Sequence, residues 1–277
     1  MNEIVTAPGL LHGHEAPAGD AAPAPRLMVR LLDGFQVRSG GVPLGQPPHG
    51  RMRTLFKLLL LQHPRPLPRA RLCALLWPEA APDKARNCLN VALHGLRRAL
   101  GDACAVHHDD DGYRLRPPGE LWLDTDQFVR HADAGRHDEA AGRRAAAVAQ
   151  YEAALALYQS DLSSDLLHED EFEAALAGEA QALRDRLSEV LERLSGLNEA
   201  AGDWHGGLRA ALRHLGLDPC NERAHQRLMV CYARLGQLSL AERQYRRCVE
   251  RLRGDLGLAP SAQTTSLYRR LAAREEA

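Results

Sequence analysis

At 277 residues with 45% hydrophobic content, the chain is long enough for two domains with cores of their own and too apolar for wholesale disorder. Its net charge of −1 hides an asymmetry: residues 26–116 carry 15 basic against 7 acidic side chains, about +8, while 117–277 carry 20 against 26, about −6. A nucleic-acid reader joined to a protein-contact module has that layout, although unrelated surface bias gives the same split. No apolar run reaches the roughly 18 residues of a spanning helix. The amino end also lacks a basic segment followed by an apolar core. The expectation is a soluble, cytoplasmic protein with no membrane partner.

Residues 1–25, rich in Ala, Pro, Gly and His without apolar periodicity, are predicted to be a disordered tail. Residues 27–44 alternate and carry turn signals at Asp33-Gly34 and Ser39-Gly40-Gly41, which predicts a small antiparallel sheet. A helix over 51–62 buries Leu55, Leu58 and Leu59, with Met52 a further candidate, and leaves Arg51, Arg53 and Lys57 on its outer side. Pro68 suits the first turn of a second helix, which buries Leu72, Leu75 and Leu76 and ends at Trp77-Pro78. Trp77 reads as a core anchor between helices.

The stretch 82–116 organises the first half. Asp83 stands where an N-cap belongs, and Leu89, Leu93, Leu96 and Leu100 recur at helical spacing before Gly101 stops the helix. The same projection sets Lys84, Asn87, Val91, His94 and Arg98 on the opposite side, with Asn90 and Arg97 flanking it. Short β-like runs at 105–108 and 113–115 follow, joined by an acidic turn ending in Gly112. A polar Asn/Arg-bearing helix followed at once by a hairpin reads as a recognition helix with its wing. On periodicity alone, an ordinary amphipathic helix with a solvated charged face fits as well.

Arg86-Asn87, Leu96-Arg97-Arg98-Ala99-Leu100-Gly101 and Gly112-Tyr113-Arg114-Leu115 resemble the DNA-binding domain of the Streptomyces antibiotic regulatory proteins, the AfsR/DnrI-type activators. The resemblance takes in 51–61 and Arg71-Leu72…Leu75-Leu76-Trp77 upstream, and downstream it reaches Leu271. It implies a mainly α fold: an OmpR-type winged helix-turn-helix over 26–117, then an all-helical bacterial transcriptional activation domain over 124–273. It also implies a sequence-specific activator that binds direct repeats near a promoter and recruits RNA polymerase, with homodimer formation on repeated sites left open. Lys84, Asn87, Asn90, His94 and Arg98 are the expected major-groove residues, since Asn and Arg reach adenine and guanine edges bidentately. Arg51, Arg53, Arg97 and Arg114 are expected to hold phosphates or act through the wing. Three features depart from the family pattern: Gly95 inside the recognition helix, Ala92 where relatives often carry histidine, and the acidic wing turn.

Residues 117–124 read as a Pro/Gly linker, after which the pattern is helical. Gly135-Arg136-His137, Gly202-Asp203-Trp204 and Gly236-Gln237-Leu238 look like turns between antiparallel helices. The last two are 34 residues apart, the tetratricopeptide period, and the first precedes the second by 67. Leu183, Leu187, Val190, Leu194 and Leu197 stripe one of these helices, and Asp218-Pro219 and Ala259-Pro260 mark repeat ends.

No phosphate loop of the form GxxxxGK[ST], no GxSxG and no HExxH occurs, and the six cysteines follow no zinc-ligand spacing and read as small buried hydrophobes. No catalytic set, cofactor or metal site is expected. The alternative reading is a tetratricopeptide adaptor or ligand-sensing module whose winged helix contacts protein.

Overall fold

The computed structural model describes residues 27–109, 111–162 and 170–273; the predicted tail lies outside them. Three strands open the fold: β1 (Leu27–Arg30), β2 (Gln36–Ser39) and β3 (Val42–Pro43), each antiparallel to the next. Helices α1 (Gly50–Leu61), α2 (Arg69–Leu76) and α3 (Pro82–Leu100) follow. The wing is a hairpin of β4 (Ala105–Asp109) and β5 (Gly112–Arg116), in register from Ala105 opposite Arg116 to Asp109 opposite Gly112. This is a winged helix with a leading sheet.

The 117–124 segment is more than a linker. Leu121–Leu123 forms β6, which pairs in parallel with β1 and completes a sheet of order β3-β2-β1-β6. The helical half begins immediately, with α4 (Asp124–Ala140), α5 (Arg144–Leu157), α6 (Asp170–Ala200), α7 (Trp204–Leu217), α8 (Glu222–Arg234), α9 (Leu238–Arg251) and α10 (Ala262–Ala272). Each helix packs on the next along the chain, the tetratricopeptide-like arrangement. The α6 stripe of Leu183, Leu187, Val190, Leu194 and Leu197 is buried as expected. Turns fall at Gly202 and Gly236, both with positive φ. The third expected turn is displaced: Gly135 lies inside α4, where the Tyr151 ring occupies the space a Cβ would take, and the chain reverses at Gly142 instead.

One continuous core runs from Leu27 in β1 through Leu197 in α6 to Ala210 in α7, so the two halves share packing. Polar groups stitch the seam. The buried Asp124 carboxylate accepts the Leu31 amide at 2.8 and 2.9 Å and the Leu32 amide at 2.8 Å. The Leu32 carbonyl in turn accepts the amides of Gln159 and Ser160 at 2.8 and 2.7 Å. Burial pushes the Asp124 carboxyl up to about 6, against the pull of the Leu32 and Leu31 amides. Lys57, expected on the outer side of α1, is fully buried, and its Nζ donates to the Leu162 carbonyl at 2.6 Å. The outer side of α1 is the side the helical half covers, and α6 packs on both α1 and α2.

Candidate nucleic-acid interface

Helix α3 owes its start to Pro82, whose fixed φ suits the first helical position. Asp83 therefore lies one residue inside the helix and pairs with Arg86 instead of capping. Ala85, Leu89, Ala92, Leu93, Leu96 and Leu100 are buried and anchor the helix, which packs on α1, α2 and β4. On the other side Lys84, Asn87, Asn90, Val91, His94, Arg97 and Arg98 are all exposed in the complete chain, so the helical half leaves this face open. Arg97 and Arg98 fall in the last turn, where cations complement the helix dipole.

Two of the departures in α3 have packing causes. Ala92 is buried and faces the core, away from the open face. Gly95 stands against α1: a Cβ there would run into the Met52 sulfur. Glycine therefore makes room for the Met52 side chain between α1 and α3 and removes nothing from the polar face. The acidic turn is tied down in part, since Asp109 pairs with Arg114; Asp110 lies outside the described residues.

Each of the four expected phosphate or wing residues has a protein contact. Arg97 donates from Nε and Nη2 to the Val106 carbonyl, both at 3.2 Å, which braces the wing on α3. Arg114 pairs with Asp109. Arg51 stacks over the Trp77 ring at 5.3 Å, and Trp77 is the buried anchor the sequence suggested. Arg53 lies over Phe35 at 5.1 Å and donates from Nε to the Pro48 carbonyl at 3.2 Å. The structure thus brings Lys84, Asn87, Asn90, His94 and Arg98 together on one open surface and sets Arg51 and Arg53 at the root of α1.

Sequence reasoning passed over other exposed cations in this half. Arg69 and Arg71 on α2, Arg86 on α3 and Arg116 on β5 are all exposed. Arg69 donates to the Tyr113 hydroxyl at 2.8 Å and so links α2 to the wing. The amides and carbonyls of Leu67 and Tyr113 bond reciprocally at 2.8 and 2.9 Å. Gly112 makes this approach possible, because its φ is 135° and a Cβ would meet the Leu67 carbonyl. Arg69 and Arg71, next to the apolar Leu72 in the first turn of α2, were the available signal for exposed cations there.

Among the described residues no cluster of His, Cys, Asp and Glu is arranged to hold a metal ion, and no helix is long and apolar enough to cross a membrane. Cys104, Cys231 and Cys248 are buried, while Cys73, Cys88 and Cys220 are half-buried.

Residues 123–272 match the family model of the bacterial transcriptional activator domain. The transcriptional regulatory protein EmbR of Mycobacterium tuberculosis H37Rv is 28% identical over 274 residues, covering 92% of this chain and 65% of EmbR. EmbR of Mycobacterium bovis gives the same values. The chain therefore spans about 65% of the length of these curated relatives. The solved structure of Mycobacterium tuberculosis EmbR in complex with a low affinity phosphopeptide superposes with a TM-score of 0.71 at 24% identity, covering 90% of this chain and 65% of that one, and shows the same fold. The chain belongs to the bacterial transcriptional activator domain family of transcriptional regulators, in the winged-helix-plus-activator arrangement of the Streptomyces antibiotic regulatory proteins.

Proposed function

We propose that this chain is a sequence-specific DNA-binding activator whose α3 enters the major groove. The observation that carries this reading is the open row Lys84, Asn87, Asn90, His94 and Arg98, set in a half with a net charge of about +8. Asn87 and Asn90 suit adenine edges and Arg98 suits guanine, while Lys84 and His94 add donors along the same face. Arg86 on α3, with Arg69 and Arg71 on α2 and Arg116 on β5, serves as a phosphate contact, and Arg97 and Arg114 hold the wing in place. Residues 26–117 read DNA. The acidic helical half, 124–273, contacts RNA polymerase, and a second copy occupies the adjoining repeat.

The test is a titration of duplex DNA with the full chain at rising salt. Phosphate neutralisation releases counterions, so log K falls linearly with log salt, and six contacts correspond to a slope of roughly −5. A flat salt response would remove the reading and leave a winged helix that binds protein.

A further inference from the structure

The open face of α3 has one residue out of character. Val91 is 74% exposed in a row that is otherwise Lys84, Asn87, His94 and Arg98. It stands seven residues from Lys84 and seven from Arg98, so it occupies the middle of the row, about 10 Å from either end at 1.5 Å per residue. The fold makes little use of its methyls: the buried contacts of α3 come from Ala85, Leu89, Ala92, Leu93, Leu96 and Leu100. As a β-branched residue it is also a poorer helix former than alanine. An exposed isopropyl group flanked within one helical turn by Asn87 and His94 is too small to form a protein interface. It matches one feature of the surface that its polar neighbours suit, because among the bases only thymine presents a methyl group in the major groove.

We infer that Val91 is a specificity-determining residue that packs against the C5-methyl of a thymine at the centre of the bound site. The inference rests on the reading that α3 enters the major groove. Asn87 and Arg98 then read hydrogen-bonding edges on either side, and Val91 selects a T·A pair between them by apolar contact. Because the side chain is exposed, its truncation leaves folding intact, so loss of recognition is separable from misfolding.

The experiment selects duplexes from a randomised pool with the full chain. Each thymine of the selected site is then replaced singly by deoxyuridine, which keeps base pairing and removes only the methyl group. At one central position deoxyuridine weakens wild-type binding about four-fold, the value of one buried methyl group. Val91→Ala weakens binding to the thymine site by a similar factor or more and is indifferent to deoxyuridine at that position alone. Circular dichroism and affinity for random duplex are unchanged in the variant. If Val91→Ala bound the selected site as tightly as wild type, or if its loss simply multiplied that of deoxyuridine at every position, the inference would be overturned while DNA reading by α3 stood. Failure of the pool to yield any preferred sequence would overturn both.

Discussion

Replacing Asp124 with alanine probes the seam that joins the two halves. The substitution strips the acceptor from the buried amides of Leu31 and Leu32. An orphaned buried donor costs about 1–3 kcal/mol, so the two amides together cost roughly 2–6 kcal/mol. Part of this returns at neutral pH, because burial holds the Asp124 carboxyl at about 6 and the ionised form is itself disfavoured in the folded chain. A carboxylate with a pKa near 3.9 when unfolded and about 6 when folded adds stability below about pH 4 that is lost as pH rises to about 6. The whole swing is roughly 3 kcal/mol at 1.36 kcal/mol per pH unit. Asp124→Ala is therefore expected to lose about 1–3 kcal/mol at pH 7 and more at pH 5. Urea unfolding of the full chain, followed by the fluorescence of Trp77, Trp122 and Trp204 at both pH values, measures this. A loss below about 0.5 kcal/mol at pH 5, or a gap that widens as pH rises, would refute the reasoning.

Gly112→Ala places a Cβ against the Leu67 carbonyl at a φ that side chains rarely adopt, and the thermal midpoint should fall by the equivalent of about 1–3 kcal/mol. Gly95→Ala gains about 1 kcal/mol of helix propensity but displaces Met52, so alone it should be near neutral; in a Met52→Ala background the gain should emerge in chemical denaturation. A fragment ending at residue 118 lacks β6 and Asp124, and its circular dichroism melt should be lower and less cooperative than that of a fragment extended through α4.

The sequence made the winged helix legible because its signals are local. The leucine period of α3 and the hairpin after Gly101 are set within a few residues, and both came out where expected. The seam between the halves is long-range and was not legible. Lys57 projects from the outer side of α1, and only the arrival of Leu162, 105 residues later, makes that side interior. The same distance effect hid β6, since Leu121–Leu123 follows Pro117-Pro118-Gly119 and gains strand character only by pairing with β1. The winged-helix span 26–117 expected from the sequence therefore stops short of the strand that completes its sheet. Gly135 illustrates a different failure, because glycine serves tight turns and close packing alike, and here it makes room for Tyr151. On the candidate interface, the exposed row of α3 was readable from helical projection. The contacts that occupy Arg51, Arg53, Arg97 and Arg114 were not, because each depends on a ring, a carbonyl or a carboxylate that the helical projection does not contain.

The central claim is that the open face of α3 reads base sequence, and specificity tests it more directly than affinity. On a duplex selected by the full chain, Asn87→Ala and Arg98→Ala should each cost about 1–3 kcal/mol while leaving random duplex bound nearly as well as by wild type. Equal losses on selected and random duplex would reduce the face to phosphate contact and contradict the account.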